Sequence, residues 1–186
     1  MPHSPAYSCR MTESTLIINS PIGRLLLTTR DGALTSLWME PFEEPAAPGR
    51  REPVLTAARR QLDAYFAGKL TEFDLPLAPA GTPFQTGVWD ELQRVPYGTT
   101  VSYAELAGRV GRPGHFRAVG SANGRNPISI IIPCHRVVGS NGSLTGYGGG
   151  IDRKRWLLDH EAAIAATKSR PRPRRSGAAA AGSRGR

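Results

Sequence analysis

The chain has 186 residues, two cysteines and a formal net charge of +9 at pH 7. Two thiols, Cys9 and Cys134, cannot form a disulfide framework or a structural zinc cluster. No apolar run approaches the roughly 18–20 residues of a membrane span, and the N-terminus lacks a basic region followed by an apolar stretch. We therefore expect a soluble protein of a reducing cytoplasm.

The positive charge is concentrated at the C-terminus, where residues 167–186 carry seven cations and no acid. Inside the chain, residues 103–136 hold five arginines against one acid, Glu105. This local excess is compatible with an anionic partner such as a nucleic acid, and equally with a solvated basic face.

Residues 14–80 are predicted to form an α/β unit that follows a flexible N-terminal segment, residues 1–13. Runs rich in Leu, Ile and Thr predict strands, and apolar residues at helical spacing predict one amphipathic helix. The predicted strands are 15–18, 24–29 and 33–39, with a hairpin turn at Asp31-Gly32, and the predicted helix is 52–67. The proline-rich residues 74–83 predict a linker, and nothing in the first 80 residues offers a convincing catalytic group.

Residues 81–165 are predicted to be mainly helical. The first helix is marked by Phe84, Val88, Leu92 and Val95. Ser102 and Glu105 form a capping-box pattern that opens a second helix, and a third runs from near His115 to Asn123 with Phe116 and Val119 directed inward. Two short helices joined by a glycine-containing turn predict a helix-turn-helix, which binds DNA in some proteins and is structural in others.

The C-terminal part contains a glycine-rich segment, a helix and a tail. Residues 139–150 predict either a flexible surface loop or a loop that wraps a flat ligand, with Tyr147 as its only aromatic side chain. A helix over 151–163 closes the fold. Residues 166–186 are expected to form a basic disordered tail, because their composition cannot build a core.

Cys134 lies in an apolar run, residues 130–138, whose β-branched side chains predict a buried strand or an extended segment that lines the core. A lone buried cysteine is often a small core hydrophobe. However, His135 and Arg136 follow it directly, and burying either side chain without a partner is costly. The cluster makes Cys134 a candidate nucleophile.

The segment Pro133-Cys134-His135-Arg136-Val137 resembles the active-site signature of the O6-alkylguanine-DNA alkyltransferases, or methylated-DNA–protein-cysteine methyltransferases. Six further segments resemble family blocks in the same order and spacing: 95–98, 101–103, 117–120, 126–127, 144–150 and 156–161. The resemblance implies an α/β protein with an N-terminal RNase H-like α/β domain. It also implies a mainly helical C-terminal domain that carries the helix-turn-helix and the active-site cysteine.

The resemblance further implies DNA repair by direct reversal of damage. The alkyl group of O6-alkylguanine moves once to Cys134 after the damaged base has been flipped out, and O4-alkylthymine is a second candidate substrate. In the family, the arginine that matches Arg117 fills the vacated stack, and the tyrosine that matches Tyr103 gives a proton to the guanine. The other implied DNA contacts are Ala104, Arg112, Ala118 and Ser140.

Around the thiol, the resemblance implies a water between Cys134 and His135, with His135 oriented by Glu161. Asn126 is implied to tie the helix-turn-helix to the active-site segment. The implied base pocket consists of Pro133, Val137, Tyr147 and Gly148, and the carbonyls of Cys134 and Val137 accept from the base's exocyclic amine. A thioether is not a leaving group for water, so each molecule should react once, and the chemistry needs no cofactor.

Three features depart from the family pattern. His115 and Phe116 stand where small residues often precede the arginine, and Gly148 stands where some members carry a serine. Some members hold an N-terminal zinc ion, but Cys9 alone gives no ligand set, so no metal site is expected.

The expected partner is double-stranded DNA containing O6-alkylguanine, bound by a monomer, with cooperative assembly on DNA left open and no membrane partner. The basic tail is expected to be a solvated appendage or to add nonspecific phosphate affinity.

Two other functions stay open. One is a non-repairing alkyltransferase-like protein that only binds lesions, and the other is a Cys–His thiol hydrolase, which needs a direct base and oxyanion donors.

Overall fold

The computed structural model describes residues 13–45 and 52–169. Its N-terminal part is an antiparallel sheet covered by one helix. The strands are β1 (Glu13–Ser20), β2 (Gly23–Arg30) and β3 (Ala33–Met39), paired in the order β1-β2-β3. Asp31 and Gly32 both have positive φ, 52° and 79°, as a tight two-residue hairpin turn requires. The three predicted strands and the predicted hairpin are confirmed, while Cys9 lies outside the described residues.

Helix α1 (Pro53–Phe66) confirms the helix predicted over 52–67. Its buried face consists of Leu55, Ala58, Leu62 and Tyr65, which recur at the spacing that brings side chains onto one side of a helix. This face packs on the sheet, and the proline at the first helical position costs no hydrogen bond there. Tyr65 is completely buried and reaches beyond the sheet toward the C-terminal residues.

The outer edge of β3 is covered by two segments from later in the chain. Leu34 forms a parallel bridge with Leu77, and Leu37 forms one with Ile128. The Leu37 amide donates to Pro127 O at 2.8 Å, and the Ser129 amide donates to Leu37 O at 3.3 Å. The prediction of 74–83 as a plain linker is therefore wrong for its middle, because an edge strand needs partners for its free backbone groups and these residues supply them.

The C-terminal part is mainly helical. Its elements are α2 (Pro83–Gln93), β4 (Val101–Ser102), α3 (Tyr103–Arg109), α4 (Phe116–Gly124), β5 (Val137–Val138) and α5 (Ile151–Ser169). The capping box at the start of α3 is confirmed, since Ser102 Oγ accepts from the Glu105 amide at 3.1 Å and Glu105 Oε2 from the Ser102 amide at 2.6 Å. Helices α3 and α4 pack on each other, and the Trp89 indole donates to Ala122 O at 2.9 Å, which joins α4 to α2. The α/β class and the helical C-terminal half are confirmed.

Three local predictions are wrong. Residues 130–138 do not form one strand: Cys134–Arg136 make a 3-10 helical turn, and only Val137 and Val138 pair, in parallel with β4. Phe116 is 49% exposed rather than directed inward, whereas Val119 is buried as predicted. Helix α5 extends to Ser169, because the alanine-rich end of the helix continues past residue 163.

The basic tail predicted for 166–186 is thus helical up to Ser169, and its remainder lies outside the described residues. Within the described ranges, no helix is long and apolar enough to cross a membrane.

Candidate active site

Cys134 is held at the start of the 3-10 turn by two asparagines. Asn126 donates from Nδ2 to Ile132 O at 2.8 Å and accepts from the Ile128 amide at 3.0 Å. Asn123, on α4, donates from Nδ2 to the carbonyl of Cys134 itself at 3.3 Å. The predicted link between the helix-turn-helix and the active-site segment therefore involves both residues, and Asn123 was missed.

The Cys134 thiol is almost completely buried, at 5% exposed. Burial raises its pKa above the ordinary value, because the thiolate loses solvation there. A hydrogen bond from Asn126 and the positive charge of Lys154 act in the opposite direction but do not outweigh burial. In this state of the protein, Cys134 is a neutral thiol.

Glu161, on α5, lies at the centre of a buried hydrogen-bond network. Its Oε1 accepts from Tyr65 Oη at 2.8 Å, His135 Nε2 at 2.9 Å and Arg136 Nη2 at 3.0 Å. Its Oε2 accepts from Arg136 Nε at 2.9 Å and the Gly98 amide at 3.0 Å. The predicted contact between His135 and Glu161 is present, and the network also contains Tyr65 and Arg136, which were not among the predicted site residues.

Charge in this network follows from burial and pairing. Burial alone would raise the pKa of Glu161, but the hydrogen bonds from His135 and Arg136 and the positive charge of Arg136 hold it well below the usual carboxyl range. Burial lowers the pKa of His135, against the opposing effect of Glu161. The carboxylate is therefore ionised opposite Arg136, and His135 is neutral with its proton on Nε2. The other ring nitrogen, Nδ1, is buried and has no hydrogen-bond partner among the described residues.

Lys154 is a second buried cation near the thiol, and sequence reasoning missed it. Its Nζ donates to Val137 O at 2.6 Å and to Thr145 O at 3.0 Å, so it joins the active-site segment to the glycine-rich loop. It lies 5.9 Å from the centre of the Tyr103 ring. The available signal was its spacing on α5, which places Lys154 on the same face as buried Leu157 and Glu161.

A small cavity of about 70 Å³ opens beside Cys134. It is lined by Asn123, Asn126, Ser129, the loop residues 146–149, and Trp38 and Met39 from the N-terminal sheet. Of the predicted base-pocket residues, Tyr147 and Gly148 line this cavity, whereas Pro133 and Val137 do not. Pro133 instead faces a larger cleft of about 640 Å³ between residues 71–79 and the end of α2.

The two carbonyls expected to receive the base's amine already accept hydrogen bonds, Cys134 O from Asn123 and Val137 O from Lys154.

The predicted DNA-contacting residues are at the surface. Ala104, Arg112, Arg117, Ala118 and Ser140 are exposed, and Arg117 lies in the first turn of α4. Tyr103 is half-buried at the start of α3, where its Oη donates to Thr145 O at 3.1 Å, and burial raises its pKa. No group of three or more His, Cys, Asp or Glu side chains within 13–45 and 52–169 is placed to hold a metal ion.

Replacing Asn126 by alanine should destabilise the active-site segment. The change leaves the buried Ile128 amide without its acceptor, which costs about 1–3 kcal/mol, and it removes one of the two hydrogen bonds to Ile132 O, which still accepts from the Cys134 amide. Urea unfolding measures this loss, and Asn19→Ala at an exposed strand position is the matched control with little expected change. Equal stability of the two variants would contradict the anchoring role of Asn126.

Comparisons with known proteins identify the family. Residues 14–79 match the family described as 6-O-methylguanine DNA methyltransferase, ribonuclease-like domain, and residues 83–163 match the DNA binding domain of the same description. The methylated-DNA–protein-cysteine methyltransferase of Mycolicibacterium paratuberculosis is 54% identical over 144 residues, covering 76% of this chain and 87% of that protein. The protein of the same description from Methanosarcina barkeri is 51% identical over 149 residues, covering 78% and 94%.

Solved structures agree with this result. The Mycobacterium tuberculosis O6-methylguanine methyltransferase has a TM-score of 0.75 and 51% identity, over 82% of this chain and 94% of that one. The Mycobacterium tuberculosis OGT in complex with DNA gives a TM-score of 0.74 with 50% identity and the same coverage. The chain belongs to the 6-O-methylguanine DNA methyltransferase family, and its enzyme class is methylated-DNA–protein-cysteine methyltransferase.

Proposed function

We propose that the protein repairs duplex DNA by moving the alkyl group of O6-alkylguanine to Cys134 Sγ in one irreversible reaction. The observation that carries this proposal is the placement of a buried thiol directly before His135, whose Nε2 is bound to an ionised, fully buried Glu161. A thiol that reacts once needs activation but no second nucleophile and no regenerating group. The exposed arginine-bearing helix α4 reaches the same segment through Asn123.

The neutral His135 accounts for activation of the thiol. With its proton on Nε2, the unpartnered Nδ1 carries a lone pair that accepts the thiol proton through one bridging water. Glu161 then stabilises the imidazolium that forms, and Arg136 keeps that carboxylate ionised. This arrangement matters because burial holds Cys134 in its unreactive thiol form until a base removes the proton.

The transfer step forms a bond between Cys134 Sγ and the alkyl carbon and breaks the bond from that carbon to O6. The electron pair of the broken bond remains on the guanine, which leaves more readily when it is protonated. Tyr103 is the proposed proton donor, and to act so its hydroxyl must exchange its hydrogen bond to Thr145 O for one to the guanine. Burial raises the pKa of Tyr103, so the phenol carries this proton at neutral pH and regains it from water afterwards.

DNA binding is assigned to the helix-turn-helix. Arg117 would occupy the space left by the flipped base, and the exposed residues Arg112, Ala104, Ala118 and Ser140 would lie along the duplex backbone. The extruded base would enter between Tyr147 and the segment around Cys134. Because Val137 does not line this cavity, the cavity would have to widen before the second lone pair of Val137 O could accept from the exocyclic amine. Pro133 would support the pocket from the side of the larger cleft.

We assign the protein to a reducing compartment, because an oxidised Cys134 could not act as a nucleophile. The proposed acting species is a monomer, since the thiol, His135, Glu161 and the helix-turn-helix all come from one chain.

Intact mass spectrometry tests the reaction directly. After incubation with a duplex oligonucleotide carrying O6-methylguanine, we expect the protein to gain one methyl group and the oligonucleotide to lose it. The gain should stop at one equivalent and be absent in Cys134→Ser, which keeps the shape of the side chain but replaces the sulfur with oxygen. Continued loss of methyl groups beyond one per protein would rule out the single-turnover mechanism.

One observation favours a second function, a lesion-binding protein that does not repair. Burial disfavours the thiolate of Cys134, and a thiol that stayed protonated would leave the lesion bound and intact. In the same experiment this function predicts an unchanged protein mass together with tighter binding to the methylated than to the unmodified duplex. A hydrolase is less well supported, because the other ring nitrogen of His135, Nδ1, makes no direct hydrogen bond to Cys134 and has no partner among the described residues.

A further inference from the structure

We propose that Tyr65, in helix α1 of the N-terminal domain, is a positioning residue for the alkyl transfer, because its hydroxyl orients the carboxylate oxygen of Glu161 that holds His135. The inference rests on the proposed role of His135 as the base for Cys134. It gives the N-terminal domain, which carries no obvious catalytic group in its sequence, a direct part in the reaction.

The first support is the geometry of a single oxygen atom. Tyr65 Oη donates to Glu161 Oε1 at 2.8 Å, and His135 Nε2 lies 2.9 Å from that same oxygen. A carboxylate that pivots about its side-chain torsions changes the direction in which Oε1 accepts. Two donors on Oε1 therefore fix the orientation of the carboxylate better than His135 alone. The fixed carboxylate in turn fixes the plane of the His135 imidazole.

The second support is the state of the tyrosine. Tyr65 is completely buried, and burial raises the pKa of its hydroxyl so that it remains a neutral phenol. It can then only donate to an ionised carboxylate, and no change of protonation near neutral pH interrupts this hydrogen bond. Its backbone carbonyl accepts from His160 Nε2 at 3.0 Å, so α5, which carries Glu161, is fixed to the same residue at a second point.

The third support is the origin of the donors to Glu161. Gly98, His135 and Arg136 all belong to the C-terminal half, and Tyr65 is the one donor that the described N-terminal residues contribute. The aromatic ring is packed by Phe66, Phe73, Tyr97 and His160 at centroid distances of 5.3–5.9 Å. A rigid ring in this packing delivers its hydroxyl to one place.

A purely structural role is the competing explanation, since any buried hydroxyl needs a hydrogen-bond partner. The two roles differ in their effect on His135. Tyr65→Phe removes one donor from Glu161, which leaves more negative charge on Oε1 for His135, so the imidazole becomes more basic. The other charged or titratable groups around the pair are Cys134, Arg136, Lys154, Tyr97 and His160, and this substitution changes none of them.

The test uses the full chain and a free O6-alkylguanine base, so that DNA binding does not enter. We expect Tyr65→Phe to transfer the alkyl group about tenfold more slowly at its plateau, and the acidic limb of the rate–pH profile to move to higher pH, because a more basic His135 is protonated earlier. Tyr97→Phe is the matched control: its ring lies 5.9 Å from that of Tyr65, and its hydroxyl is buried without a hydrogen-bond partner in the described structure. That control should keep the position of the acidic limb.

A second readout is independent of the reaction. The imidazole ¹⁵N shifts of His135 in histidine-labelled protein report its protonation, and in Tyr65→Phe they should titrate at higher pH than in the parent. An unshifted His135 titration and an unshifted acidic limb, with only a loss of folding stability, would overturn the positioning role. If the parent protein itself accepts no alkyl group, the proposed function fails, while the ¹⁵N titration still decides whether Tyr65 acts on His135.

Discussion

Replacing Glu161 by glutamine should nearly abolish alkyl transfer and also weaken the fold. The amide keeps the shape of the side chain but removes the charge that faces Arg136, and it turns a donor toward either His135 Nε2 or Arg136 Nε. A buried cation without its partner costs about 3–5 kcal/mol. Loss of an oriented general base lowers a rate on the order of 100-fold or more. Urea unfolding and single-turnover transfer to the protein measure the two effects.

Glu43→Gln is the control for this substitution, because Glu43 is exposed and forms no ion pair in the described structure. It should leave both the stability and the transfer rate unchanged. Full transfer activity in Glu161→Gln would contradict the relay from the thiol through His135 to the carboxylate.

The same carboxylate makes stability depend on pH in a defined window. The pKa of Glu161 is lower in the folded protein than its ordinary value of 4.5, so its contribution is complete above that value and is lost as the pH falls below it. Glu161→Gln has no such group. The stability difference between parent and variant should therefore be largest near neutral pH and become smaller as the pH falls below about 4.

Replacing Arg117 by alanine should slow repair in duplex DNA and leave the reaction with a free alkylated base unchanged. Arg117 is exposed in the first turn of α4 and makes no contact with Cys134 or Glu161, so the chemistry at the thiol is intact in the variant. Extrusion of a base costs a few kcal/mol. Loss of the side chain that fills the vacated stack should slow duplex repair about 10- to 100-fold, or about 1.4–2.8 kcal/mol.

Parallel single-turnover measurements on an O6-methylguanine duplex and on a free O6-alkylguanine separate these effects. Arg59→Ala removes an exposed arginine from α1 and serves as the charge-matched control, which should repair duplex at the parental rate. If Arg117→Ala lowered the transfer rates from the duplex and from the free base by the same factor, Arg117 would act on the thiol site rather than on the duplex.

Local sequence patterns predicted the elements that depend on local rules. The Asp31-Gly32 hairpin and the capping box at Ser102 and Glu105 follow from backbone conformation and side-chain reach within four residues. The strand predicted around Cys134 was wrong because the β-branched residues of this run favour strands. In the structure, the Asn126 side chain binds Ile132 O, and Cys134–Arg136 form a 3-10 turn. Phe116 was predicted to be buried from helical spacing, which cannot distinguish a core-facing side chain from a solvent-exposed one.

The family resemblance supplied the candidate residues that share motifs with the family, and the structure places His135 against Glu161 as the resemblance implied. Asn123 and Tyr65 could not be predicted in the same way, and the signal for Lys154 was limited to its position on the buried face of α5. Their contacts join residues that are not neighbours in sequence: 11 residues separate Asn123 from Cys134, 17 separate Lys154 from Val137, and 96 separate Tyr65 from Glu161. An isolated tyrosine on an amphipathic helix predicts burial, but nothing local indicates which carboxylate its hydroxyl meets.

The pairing of Leu37 with Pro127 and Ser129 has a consequence for how the molecule opens. Two backbone hydrogen bonds join Leu37, on the outer edge of β3, to Pro127 and Ser129, which precede Cys134 in the chain. A movement that separates the two segments breaks both bonds, so the amides of Leu37 and Ser129 become free for hydrogen exchange together. Detachment of residues 127–129 therefore uncovers the outer edge of the N-terminal sheet. Hydrogen exchange at Leu37, which precedes Cys134 by almost a hundred residues, should therefore report movements of the segment that leads to Cys134.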